Sequence, residues 1–123
     1  ERLDACSPRI LVMEYNAYFG PTRAVTVPNA PIPREAPKGY FGASLAALES
    51  LARRKGYRLV LCEDAGVNAF FLRSDVAPEI PGLTASQAFR PLLDRRDIDE
   101  TRVRELDIYA RAGRRGLELV EVA

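Results

Sequence analysis

The stretch Arg9-Ile10-Leu11-Val12-Met13-Glu14-Tyr15-Asn16 decides the fold. Its four consecutive apolar residues predict a strand. Continuous rather than alternating apolarity predicts a strand covered on both faces, as in a parallel sheet. Pro8 suits the strand start, where its missing N–H costs nothing. Polarity then changes abruptly at Glu14 and Asn16. In open α/β sheets, ligands gather outside the carboxyl ends of strands, so this step is the first candidate site. Glu14 is the candidate catalytic base, a role that requires burial to raise its pKa. Tyr15 and Asn16 are candidate substrate-binding neighbours. The same carboxylate and amide are also what a loop needs to satisfy buried backbone groups, and both readings stand.

Downstream, residues 17–42 read as a long loop carrying Gly20-Pro21, Pro28, Pro31, Pro33 and Pro37, with a short extended stretch over 24–27. Loops this long are uncommon in compact domains unless they serve a function. Tyr18, Phe19, Tyr40 and Phe41 are its aromatic anchors, and Tyr40 is a further candidate for substrate contact. Residues 43–55 are the clearest helix. Leu45, Leu48, Leu51 and Ala52 recur at helical spacing, Arg53, Arg54 and Lys55 suit the negative end of the dipole, and Gly56 suits the C′ position. Ser44 or Gly42 would cap its start. The segment 39–44 matches neither a P-loop nor a dinucleotide-binding glycine pattern. Residues 57–62 and 67–73, joined by Glu63-Asp64-Ala65-Gly66, predict an antiparallel hairpin. Asn68, polar within an apolar strand, is expected either to face a pocket near Glu14 or to bond the turn through Asp64. In the tail, Thr84-Ala85-Ser86-Gln87 matches a capping box. A helix over 100–112 and an edge strand over 117–122 are expected further on. The sheet core spans 8–75 and a largely helical extension spans 76–123.

Composition narrows the function. A chain of 123 residues with 47% hydrophobic content is one α/β unit with enough apolar material for a core. Eighteen basic and 17 acidic side chains nearly cancel, which argues against a nucleic-acid binder and against a polybasic membrane anchor. No apolar run approaches the ~20 residues of a membrane-spanning helix, and a cytoplasmic location is expected. The chain has no histidine, and Cys6 and Cys62 lie far apart. A zinc site, a disulfide scaffold and imidazole-based catalysis are therefore not expected. Because it begins Glu1-Arg2-Leu3-Asp4, the chain also reads as a piece of a longer protein.

Three pieces carry a resemblance: ILVMEYNAYFGPTRAVTVP from residue 10, YFGASLAALESLARRKGYRLV from residue 40, and AGVNAFFLRSD from residue 65. In order and spacing they resemble the C-terminal half of bacterial proteins akin to FkbM-type, S-adenosylmethionine-dependent methyltransferases. The resemblance covers a little over half of the chain. It implies a partial Rossmann-like sheet: 9–15 as the fifth strand, 43–55 as the helix after it, and the hairpin as strands six and seven, the last antiparallel. It also implies an acceptor-side portion of the enzyme, with Glu14, Tyr15, Asn16, Tyr40 and Asn68 toward a small-molecule acceptor. The features that bind the methyl donor in such folds, a glycine-rich turn after the first strand and an acidic residue ending the second, are missing, so no cofactor is expected to be held by this chain alone. The expected partner is the N-terminal half or another protein chain, including a second copy, across an open edge at 9–15. The competing expectation is a non-catalytic binding or assembly module that uses the same edge and the long loop.

Overall fold

A computed structural model describes residues 6–92 and 108–122. Strand β1 (Ile10–Glu14) is followed by a single 3-10 turn (Ala17–Phe19) and the short strand β2 (Val25–Thr26). Helix α1 (Leu45–Arg54), strands β3 (Tyr57–Cys62) and β4 (Asn68–Arg73), helix α2 (Ala85–Ala88) and strand β5 (Val120–Glu121) complete the order. Residues 108–114 are helical. The expected helix over 100–112 begins outside the described residues, as does the charge-dense segment 94–99.

The main sheet has the order β1-β4-β3 and every neighbouring pair is antiparallel. Since β1 and β3 both oppose β4, they run parallel to one another without touching. Helix α1 makes the crossover between them and packs on β3 together with α2. The inward residues Tyr57, Leu59, Ala69 and Phe71 meet Leu45 and Ala52 of α1 and Ala85 and Ala88 of α2 in the principal core. Ser44 caps α1, its Oγ accepting from the Ala47 N–H at 3.1 Å. Gly56 adopts φ 89°, which an L side chain resists. The Thr84–Gln87 capping box forms as expected.

The expectation for β1 is corrected on one point. It is not covered on both faces: exposure alternates along it, with Leu11 and Met13 inward and Ile10, Val12 and Glu14 outward. Register places Val12 opposite Phe70, and Phe70 opposite Leu61, in one row across three strands. Ile10 and Leu72 form the next row. Among the described residues much of this outer face is uncovered, with Ile10, Val12 and Leu61 57%, 53% and 52% exposed, whereas Leu72, paired with Arg58, is buried. The physical reason the sequence misled is that an apolar residue on an uncovered face reads the same as one on a covered face. The sheet edge at β1 is open among the described residues, where β1 pairs with β4 alone.

The loop 17–42 is better ordered than its proline content suggests. Strand β2 pairs with β5 in a second, two-stranded sheet. Tyr18, Phe19, Val25 and Tyr40 form a second small core with Ile108 and Ala112. Polar contacts reinforce it. The Tyr109 hydroxyl donates to the Phe19 carbonyl at 2.6 Å, Arg111 donates to the Lys38 carbonyl, and Arg115 donates to the Glu35 carbonyl. The C-terminal extension is therefore a strap across the long loop. Among the described residues no helix is long and apolar enough to cross a membrane.

Candidate functional site

Where β1 ends, its carboxyl terminus, the start of the loop and the β3–β4 turn converge around a cavity of about 160 Å³. Glu14, Tyr15, Asn16, Tyr18, Phe41 and Val67 supply most of its lining. Local geometry fixes this convergence. The Tyr15 N–H donates to the Val67 carbonyl at 2.9 Å and the Asn16 N–H to the Ala43 carbonyl at 2.8 Å. The end of β1 is thereby sewn to the hairpin turn on one side and to the entry of α1 on the other.

Asn16 is 1% exposed, and its amide makes three hydrogen bonds. Its Nδ2 donates to the carbonyls of Gly39 at 2.7 Å and Phe41 at 2.8 Å. Its Oδ1 accepts from the Tyr18 N–H at 2.9 Å and so caps the 3-10 turn. One side chain thus ties both ends of the long loop to the strand. This is a structural role: both Nδ2 hydrogens are used and Oδ1 has one of its two lone pairs engaged.

Tyr15 is likewise buried. Its hydroxyl donates to the Arg90 carbonyl at 2.6 Å and accepts from the Arg90 N–H at 3.3 Å. Its ring lies 5.9 Å from that of Phe89. Burial, with the neighbouring Cys62 thiol as a smaller cause, pushes the phenol above its ordinary range, so it stays protonated. Burial also pushes Cys62 up to about 11, which makes it an inert core thiol. Tyr40 sits in the second core and donates to the Glu118 carbonyl at 2.7 Å. It faces the strap rather than the cavity at β1.

Asn68 stands directly across from Glu14 in the β1–β4 register. Its backbone N–H and Nδ2 both donate to Glu63 Oε1, at 3.0 and 3.2 Å. Of the two expectations for Asn68, the bond to the turn forms, but through Glu63 rather than Asp64. Glu63 reaches back because Asn68 begins the returning strand, while Asp64 projects from the tip at 92% side-chain exposure. Glu14 itself lies on the outer, uncovered face at the rim of the cavity. Its carboxylate is exposed there and open to water.

Sequence reading missed the organising role of Arg58. Its guanidinium donates to the carbonyls of Val76, Ala77 and Ile80 at 2.8, 2.6 and 2.9 Å, and to that of Arg73 at 3.1 Å. It thereby gathers the connection after β4, where Ala77 holds a positive φ of 44°. A run of backbone carbonyls leaves no trace in a sequence, so no signal could have found it. A second cavity of about 330 Å³ lies between the proline-rich part of the loop and the strap, against Tyr40 and Leu117.

Among the described residues no three His, Cys, Asp or Glu side chains cluster as metal ligands. The start of α1 is closed by the fully buried Ser44, whose Oγ is taken by the N–H groups of Val25 and Ala47. Comparison with known proteins finds no match: no family model, no curated protein and no solved structure is similar to this chain at a significant level.

Proposed function

We propose that this chain is the C-terminal, acceptor-side portion of an S-adenosylmethionine-dependent methyltransferase, whose donor-binding half is supplied by other residues. One observation carries the reading. A sheet covered by α1 and α2 on one side leaves Ile10, Val12 and Leu61 exposed on the other, with Phe70 half-buried between Val12 and Leu61, beside an open β1 edge. An apolar face of this kind is energetically incomplete, since each fully buried aliphatic side chain contributes roughly 1.5–3 kcal/mol. Further strands added at β1, with helices laid over the outer face, would complete it. The alternation of β1, crossover helix and β3, with β4 antiparallel between the strands, fits the fifth, sixth and seventh strands of such a sheet.

On this reading the cavity at the end of β1 is one wall of the acceptor pocket, and Glu14 is the group placed to take a proton from an acceptor hydroxyl or amine. Covering the outer face would withdraw its carboxylate from water, the condition that the exposed position does not meet. The test is calorimetric titration of S-adenosylmethionine into the full-length gene product. Saturable binding supports the reading, and no heat of binding at millimolar donor removes it.

The same bare face favours a second reading, a non-catalytic module that docks a partner chain. The commitment of Tyr15, Asn16 and Tyr40 to backbone carbonyls supports it, because these side chains hold the fold whether or not a reaction occurs. Light scattering separates the two states of the chain: a concentrated solution that remains monomeric counts against pairing of two copies through β1.

A further inference from the structure

The ligand chemistry of the cavity at the end of β1 follows by subtraction. The Tyr15 hydroxyl is spent on Arg90, and the Asn16 amide on Gly39, Phe41 and Tyr18. The rest of the lining is Ala17, Tyr18, Phe41, Gly66, Val67 and Leu92, without a basic side chain and with the neutral Tyr18 hydroxyl as its further polar side-chain group. Glu14 at the rim is the lining residue whose charged group has no hydrogen-bond or ion-pair partner among the described residues. Phe41 is 47% exposed while its carbonyl is anchored by Asn16, so an open ring on a fixed backbone lines the same cavity as the carboxylate.

We infer that this cavity takes a small organic cation, a protonated amine on a flat apolar body. The ammonium group pairs with Glu14 and the body lies against Phe41 and the apolar wall. The attraction of a cation to a carboxylate and to an aromatic face acts in the same direction here. An anion meets only Glu14 and is repelled. A neutral alcohol of the same shape keeps the apolar contact and loses the charge-assisted one. As the identity of a methyl acceptor this rests on the methyltransferase reading; as a binding property of the cavity it does not.

The test is backbone amide NMR of the described chain titrated with benzylamine, benzyl alcohol and benzoate at pH 7. The expected result is shifts at Glu14, Phe41, Gly66 and Val67 with benzylamine, about fivefold to tenfold weaker binding of the alcohol, and no saturable response to benzoate. Glu14→Gln, an exposed substitution that leaves the core untouched, should bring amine and alcohol within twofold of each other. Equal binding of all three probes, no saturable shift with the amine, or an amine preference that survives Glu14→Gln overturns the inference. The two proposals fail separately. Amine selectivity without donor binding by the full-length product keeps the cavity and removes the methyltransferase. Donor binding without amine selectivity does the reverse.

Discussion

Replacing Asn16 by alanine separates a structural amide from a substrate-binding one. The side chain makes three hydrogen bonds, two donated to the Gly39 and Phe41 carbonyls and one accepted from the Tyr18 N–H. Each is worth about 1 kcal/mol net in a folded protein, and a buried partner left unpaired costs about 1–3 kcal/mol. Alanine removes all three and gives the stranded groups no replacement, so the expected loss is about 3 kcal/mol. Against a typical domain stability of about 5–15 kcal/mol this is a large fraction. With a urea slope of about 1–3 kcal/mol/M, the unfolding midpoint should fall by roughly 1–3 M with little change in slope.

Asn16→Asp sharpens the experiment. It keeps the acceptor for Tyr18 but turns an oxygen toward two carbonyls. Burial and those carbonyls raise the folded-state pKa of the new acid above its unfolded value of about 3.9. The folded state then binds the proton more tightly than the unfolded chain. The variant should therefore be most stable in acid, lose stability as pH rises from about 4 through the folded pKa, and stay level above it. A midpoint change worth less than about 0.5 kcal/mol for Asn16→Ala would refute the structural assignment. So would unchanged stability together with loss of ligand response.

Arg58→Met keeps the stem and removes the donors that hold the 73–80 carbonyls. It should cost about 2 kcal/mol, seen in hydrogen exchange as faster opening of residues 74–82 while β4 stays protected. Gly66→Ala sets an L residue at φ 75° and its Cβ 2.1 Å from the Pro91 carbonyl oxygen. A loss of at least about 2 kcal/mol in urea unfolding is expected, and an unchanged midpoint would show that the turn does not meet that segment. In native protein at pH 8 a thiol reagent should modify exposed Cys6 and spare buried Cys62, with both reacting in urea. Because burial holds the Cys62 thiol up near 11, the unfolded chain loses that proton first. Stability should therefore fall as pH rises from about 8.5, the ordinary thiol value, toward 11, in pH-jump denaturation curves.

The sequence by itself determined the local elements, because each is written in neighbouring residues. Ser44 and the Thr84–Gln87 pair cap their helices through side chains within three positions, Gly56 supplies the positive φ that ends α1, and the short 63–67 turn forces β3 and β4 into a hairpin. Residues that satisfy local backbone demand can be recognised without knowing what lies across the fold. What only the tertiary structure decided is which face of each strand is covered and which polar group remains free. The apolar run Ile10 to Met13 could not reveal that its outer half lies bare, and Asn16 read as a candidate ligand until Gly39 and Phe41 were brought within 2.8 Å of its amide. The strap of Tyr109, Glu118 and Glu121 over the long loop joins residues 78 to 98 positions apart. Such contacts depend on the path of the chain. Of the candidate site the sequence located the place, the end of β1, and tertiary packing decided that Glu14 stands exposed at its rim without a partner among the described residues.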